Sequence, residues 1–463
     1  VTITSHHSAA SFVPRGHVLQ VPLRRLLGTA RKQGALGLIE GLGEQAAGEL
    51  VQLKLGPFKP YLAYHPLHLE HLLRANAANW PRGAAMWDAL GRLTGEGIGG
   101  EGAQWQASRR ILQPAFAARH VKAMGEQMVA SVSGAVQDLA RRVEAGRPVD
   151  AGAEMTAIVQ RVVDPVFFGQ LIPDGEGGRL GAAVATAMRS LLWRMAMPGV
   201  PHWAPLPGDR RFHRSTRTIK QILGPVLTQA RAQPADQQGR DVVSMLMNGL
   251  GADDAALTDE QIMQDIVALF VAGSESSAIA LVWAWVALVQ HPEVHAAVRE
   301  EVDRVLGGGE LRPEHIRRLP YTGKVVKEVL RLYSVAWAVP RIAVQDDEVG
   351  GVPVRAGSTL VISPYLTHRL PGYWPDPLRF DPERFDGDQV RARMALPGGP
   401  LAYLPFGDGA HACLGEGFFH QEATLVMAEM VRTFDIELAA PVQPSLSLTM
   451  QPRDPVGLLL TRR

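Results

Sequence analysis

A single cysteine, Cys413, stands among 463 residues. One thiol forms neither an internal disulfide nor a multi-cysteine metal site. The chemistry open to it is that of a lone thiolate, as nucleophile or as axial ligand on a metal cofactor; the alternative is a buried, inert thiol. The flanking sequence, Pro405-Phe406-Gly407-Asp408-Gly409-Ala410-His411-Ala412-Cys413-Leu414-Gly415, favours the ligand. Glycines 407, 409 and 415 are expected to open backbone conformations closed to other residues and to admit a bulky group at close range. The apolar run from Leu414 reads as a helix starting at the cysteine, whose N-terminal amides would favour an anionic thiolate. A hydrolase using Cys413 with His411 is disfavoured, because residues two apart are poorly placed as nucleophile and base.

Two further groups carry chemistry. Gly273-Ser274-Glu275-Ser276-Ser277 interrupts a long apolar stretch, and a carboxylate with three hydroxyls inside a buried helix is costly without partners or a task. Glu328 and Arg331 are three apart and share a helical face. An exposed pair of that kind contributes little, but Val329, Leu330 and Tyr333 around it indicate a buried helix. Arg384, in Asp381-Pro382-Glu383-Arg384-Phe385, supplies a second cation between that helix and Cys413 in chain order.

The elements that position these groups are mainly helical. Thr258 with Gln261 forms a capping box and His291-Pro292 a stop, so one helix spans roughly 50 Å through the apolar stretch. Its two apolar runs are each short of the ~20 residues a membrane span needs. Helix is expected over 34–49, from Pro66 onward, and over most of 103–306, with breaks at Pro165, Pro173, the 198–207 prolines and 249–254. Strands are expected at 50–55 and 60–63 around a Gly56-Pro57 turn, at 344–360 and at 446–461. The glycine-rich stretch 78–102 reads as a long loop and 371–405 as coil. One mainly α domain over 1–463, with a small β subdomain, fits this pattern.

Composition excludes some classes. Lys+Arg 47 against Asp+Glu 46 leaves almost no net charge, which gives no footprint for nucleic acid or an acidic membrane surface. The apolar fraction of 46% and charged fraction of 20% are those of a globular protein with an ample core. One cysteine suits the cytoplasm. The first residues hold no long apolar run, so neither a signal peptide nor a membrane anchor is expected. The fifteen histidines lack metal-ligand spacing.

Taken in order, these motifs resemble the cytochrome P450 family of haem-thiolate monooxygenases, in its soluble bacterial form, from about Arg15 to the carboxyl end. Phe406, Gly409, His411, Cys413 and Gly415 meet the family's Phe-x-x-Gly-x-(Arg/His)-x-Cys-x-Gly loop. Glu328 and Arg331 meet Glu-x-x-Arg, and 382–385 meet Pro-Glu-Arg-Phe. Residues 272–277 meet the central-helix pattern, and Trp105 with Arg109 meets Trp-x-x-x-Arg. The resemblance implies the P450 fold and haem b with Cys413 as axial thiolate, which favours O–O cleavage. It implies Phe406 packed beside the sulfur, and Trp105, Arg109, Arg341 and His411 around the haem propionates. It implies a structural triad of Glu328, Arg331 and Arg384. Glu275 and Ser276 would form the acid–alcohol pair that relays protons to dioxygen. Serine here, where threonine is commoner, keeps the hydroxyl but lacks the methyl that restricts its rotamer, so a looser relay is expected.

The same resemblance places Trp87, Leu269, Ala272, Gly273, Ala336, Trp337 and Val339 around an apolar substrate, terpenoid, polyketide or fatty-acid-like. Residues 448–450 are further candidates. With no fused reductase, electrons would come from a ferredoxin or flavodoxin with its NAD(P)H reductase, docked on cations such as Arg110, Arg119, Lys122, Arg391 and Arg393. A haem-thiolate peroxygenase or isomerase, or a non-catalytic haem sensor, would be expected to lack the polar Glu275-Ser276 pair.

Overall fold

In a computed structural model the described residues are 13–173, 175–197, 200–201, 203–232, 241–248 and 257–463. The expected break at 249–254 and part of the 198–207 cluster lie outside them. Two compact units are distinguished, each assembled from separate chain segments.

The first unit holds residues up to Ala84 together with Lys327–Cys413 and Pro444–Met450. Its five-stranded sheet takes the order Val18–Pro22, Leu50–Lys54, Tyr61–Ala63, Thr359–Ile362, Val339–Ile342. The hairpin around Gly56-Pro57 is as expected, with Val51 opposite Leu62. Tyr61–Ala63 then runs parallel to Thr359–Ile362, which brings the remote Val339–Ile342 strand into the same sheet. The helix expected over 34–49 is the second limb of Leu23–Ala46, which starts behind Pro22 and is kinked at Gly34 (φ +74°, ψ 178°). Proline is at home in front of a first turn, and glycine alone takes that φ without strain. The stretch read as coil at 371–405 contains a helix, Gly387–Met394.

The second unit holds Ala85–Val326, Leu414–Gln443 and Gln451–Arg463. Its axis is the central helix, Asp259–Gln290, with the Thr258–Gln261 capping box formed and His291 at its end. Among the described residues it is the one helix long and apolar enough to cross a membrane. It is instead the core of this unit, packed against helices Ala151–Phe168 and Asp209–Ala232, with Trp283 and Trp285 fully buried.

Two expectations fail in this unit. Pro165 does not end a helix: Ala151–Phe168 runs through it and stops at Gly169 in the left-handed region. Burial of Val162, Val163, Val166 and Phe167 on either side outweighs the backbone penalty of the proline. The stretch read as a loop at 78–102 contains helix Ala84–Thr94, because Ala89 and Leu93 recur at helical spacing and are buried. Irregular backbone is left at 80–83 and at 95–101, where the glycines cluster.

Candidate active site

Cys413 ends the Lys327–Cys413 segment of the first unit and is exposed. Its N–H donates to the Phe406 carbonyl at 2.8 Å, closing the loop that carries it. Gly407 (φ +69°) and Gly409 (φ +71°) hold the left-handed conformations the sequence anticipated. A methyl on Gly409 would also collide with the Leu73 carbonyl. Gly415 does not need its freedom, having φ −79°. The following helix starts at Glu416, three residues past the cysteine, with Gly415 at its N-cap. His411 ends a 3-10 turn beside the thiol, and Arg341 is 5% exposed on its strand. In the same unit Ala336 is exposed, Val339 is half-buried, and half-buried Trp337 donates Nε1–H to the Ser447 carbonyl at 2.8 Å.

The Glu328–Arg331 pair is wholly buried and bidentate, Nε to Oε2 at 2.7 Å and Nη2 to Oε1 at 2.8 Å. Arg331 Nη1 also donates to the carbonyls of His368 (2.8 Å) and Pro377 (2.7 Å). Arg384 Nε is 3.5 Å from Glu328 Oε1, and the Asp381 N–H donates to that same oxygen at 2.8 Å. The Glu328–Arg331 pair is a structural lock, since both of its charges are matched and hydrogen-bonded, while Arg384 donates from Nη2 to the Asp376 carbonyl at 2.7 Å. Arg393, expected at a docking surface, is instead 8% exposed, with its guanidinium 4.1 Å from the Trp374 ring. Burial pushes it down to about 10. Arg391 is exposed but bound to Asp388.

The second unit carries the polar segment of the central helix. Ala272 and Ser276, one turn apart, are exposed in a helix that is buried on most sides. Ser276 Oγ donates to the Ala272 carbonyl at 2.6 Å, the back-bond common to helical serines. Glu275 Oε2 is buried and has no hydrogen-bond partner among the described residues. Burial raises its carboxyl above the usual range, with Arg189 opposing. Leu269 is 7% exposed, while Gly273 turns to Phe167, whose ring a methyl there would approach at 3.2 Å. Trp105 and Arg109 lie on one face of helix Gly102–Leu112, with Trp105 buried and Arg109 Nε donating to Gln113 at 3.4 Å. Trp87 is half-buried on helix Ala84–Thr94.

The Cytochrome P450 family model matches residues 38–461. The chain belongs to the cytochrome P450 family. It is similar to cyclooctatin synthase of Streptomyces melanosporofaciens, 31% identical over 88% of each chain. It is also similar to that organism's cyclooctat-9-en-7-ol 5-monooxygenase, 32% identical over 83% of this chain and 81% of the relative. Pentalenene oxygenase of Streptomyces avermitilis is 28% identical over 90% and 91%. Among solved structures, the cytochrome P450DA heme domain superposes with a TM-score of 0.83 at 23% identity, covering 96% of this chain and 98% of that one, which shows the fold. The activity is that of a P450 monooxygenase.

Haem is the cofactor this family implies, with a cysteine thiolate and dioxygen. The residues of this P450 fit it. Its thiol is exposed on a loop held open by left-handed glycines, and its central helix exposes Ala272 and Ser276 beside the orphaned Glu275 oxygen. Sequence reasoning missed three buried groups of this P450: Asp265, His368 and Glu422, each 0% exposed. Asp265 and Glu422 were visible only as isolated acids in apolar helices, and His368 as one histidine of fifteen.

Proposed function

We propose that this cytochrome P450 oxygenates an apolar, terpenoid-like small molecule in the cytoplasm, using electrons from a separate ferredoxin or flavodoxin and its NAD(P)H reductase. What supports the substrate class is the apolar type of the residues proposed to face the ligand, Leu269, Ala272, Ala336, Trp337 and Val339, which would offer no cation to a charged substrate. The named substrates of the relatives, pentalenene and cyclooctat-9-en-7-ol, support it.

Haem bound through Cys413 supplies the dioxygen-activating chemistry. Trp105, Arg109, Arg341 and His411 would hold its propionates, the arginines as planar forks matched to carboxylates. Phe406, whose carbonyl accepts from the Cys413 N–H, would pack beside the sulfur. Glu275 carries the proton: its raised affinity, set by burial, keeps it closer to neutral pH than an exposed carboxylate. Ser276 passes that proton on by releasing its hydrogen bond to Ala272. The orphaned Glu275 oxygen favours this reading over a sensing role, which needs no proton donor there. Arg110, Arg119 and Lys122, all exposed, offer the acidic electron donor a cationic face.

The test has two arms. A strongly red-shifted Soret band of the reduced, carbon-monoxide-bound protein, lost in Cys413→Ser, reports the thiolate; its absence in fresh wild-type protein would sink the assignment of Cys413. Polycyclic terpene hydrocarbons should displace the distal water at lower concentration than fatty acids of equal carbon number. The reverse order would overturn the substrate class.

A further inference from the structure

Four glycines, at 95, 97, 99 and 100, fall within six residues, and nothing in the haem chemistry uses them. The structure gives them a task. They wrap the segment 95–101 over two neighbouring side chains of the central helix, Gln264 and Asp265. The Ile98 N–H donates to Asp265 Oδ1 at 2.6 Å, and the Glu96 N–H donates to Gln264 Oε1 at 3.2 Å. From the next helix, Ser108 Oγ donates to Asp265 Oδ2 at 2.5 Å, and Gln104 Nε2 donates to Gln264 Oε1 at 3.0 Å. A methyl on Gly97 would strike Asp265 Oδ1, and one on Gly95, at φ +69°, would strike the Gln264 amide. Glycine is needed at both places because the backbone lies directly on those side chains.

Asp265 is 0% exposed. A buried acid in an apolar helix is expensive unless the contacts it makes are required. Its contacts join three things: the central helix that carries Glu275 and Ser276, the loop that follows the helix carrying Trp87, and the helix that carries Trp105 and Arg109. The loop has no apolar anchor of comparable strength, since Gly95, Glu96, Gly97, Gly99, Gly100 and Glu101 leave Ile98 as its one large apolar residue.

We propose that Asp265 is a positioning residue for substrate selection: it clamps residues 95–101 and Ser108 to the central helix, and so sets where the Trp87 helix stands and how bulky a ligand this P450 accepts. This rests on the monooxygenase reading only in its ligand arm. The clamp is one Asp265-centred unit with Gln264 as its second point. Burial pushes the Asp265 carboxyl up to about 6, with Ser108 and the Ile98 N–H opposing. The clamp therefore works in either protonation state: the Ile98 N–H needs only an acceptor oxygen, and Ser108 can donate to a carboxylate or accept from a carboxylic acid.

The test compares haem-loaded wild type, Asp265→Ala, Asp265→Asn and Ser108→Ala by amide hydrogen exchange and by titration with imidazole and 4-phenylimidazole as small and bulky probes. In Asp265→Ala the peptide covering 95–101 should exchange about tenfold faster, while peptides of the 151–168 helix stay within about twofold. The ratio of the two azole dissociation constants should move by about fivefold or more, as expected when a loop that excludes bulk is released. Asp265→Asn, which keeps the acceptor, should rescue both readouts, and Ser108→Ala should fall between. Should Asp265→Ala not fold, Ser108→Ala and Asp265→Asn still decide the matter. Unchanged exchange at 95–101 in the folded alanine variants, or an equal rise throughout the unit, overturns the proposal. So does an azole ratio that stays at the wild-type value while the loop is released. The exchange arm needs no turnover, so a failed carbon-monoxide spectrum would count against the monooxygenase reading and leave the clamp to be judged on its own.

Discussion

His368 Nε2 accepts a 3.0 Å hydrogen bond from the Leu404 N–H, two residues before the Phe406 that opens the cysteine loop. Because Nε2 is the acceptor, the proton sits on Nδ1, where Ser334 Oγ lies at 3.0 Å and the Arg331 carbonyl at 3.2 Å. The His368 carbonyl in turn accepts from Arg331. One imidazole thus connects the buried Glu328–Arg331 lock to the cysteine segment.

Burial, followed by the Arg331 charge, holds His368 well below the usual histidine range. A depressed histidine contributes stability that is present above its unfolded value of about 6.5 and lost as pH falls below it. Urea unfolding of wild type should therefore show stability falling below that pH. His368→Gln should flatten part of the slope. His68, pushed down to about 3 by burial, accounts for a further share. A wild-type curve flat from pH 7 to about 5 would refute this.

Breaking the Glu328–Arg331 lock from either side leaves an uncompensated charge in a site with no exposure. Arg331→Met and Glu328→Gln should each cost about 3–5 kcal/mol and reduce haem incorporation. Arg331→Lys should be nearly as damaging, since an ammonium cannot hold two carboxylate oxygens and two carbonyls in one plane. Denaturant midpoints and the haem-to-protein absorbance ratio measure both effects.

Ser276 Oγ donates to the Ala272 carbonyl, a bond it must release to act in the proposed proton relay. Ser276→Ala should lower product formed per NADPH consumed by about tenfold and raise peroxide release to match. Ser276→Thr, whose methyl narrows the rotamer choice, should raise that yield by about twofold. Product and peroxide are counted in the same assay.

Glu422, nine residues past the cysteine, is pushed up to about 8 by burial, with the Ser277 hydroxyl pulling the other way. A raised carboxyl contributes stability that is complete below its ordinary value of 4.5 and lost as pH climbs toward 8. Glu422→Gln should leave stability at pH 5 nearly unchanged and raise it at pH 9. Equal stability of the two proteins at pH 9 would place the proton elsewhere.

Much of the site was legible because its chemistry is local in the chain. Glycines around Cys413, a polar interruption in an apolar helix, and Glu328 three residues from Arg331 each declare themselves within a few positions. The capping box at Thr258 and Gln261 did the same for the central helix. Misreadings came where tertiary burial overrode a local signal. Pro165 was carried through a helix by buried neighbours, the Trp87 helix was masked by the glycines that follow it, and Arg393 left the surface to stack on Trp374.

The sequence by itself determined the family, and it set Cys413 in its glycine loop and Glu275 next to Ser276 on one helical turn, since covalent spacing alone brings those residues together. Tertiary structure alone decided the work of Asp265, His368 and Glu422. Their partners lie far away in the chain: Ser108 is 157 residues from Asp265, and Leu404 is 36 from His368. What makes such groups matter is desolvation, a property of the packed interior that no spacing of residue types records.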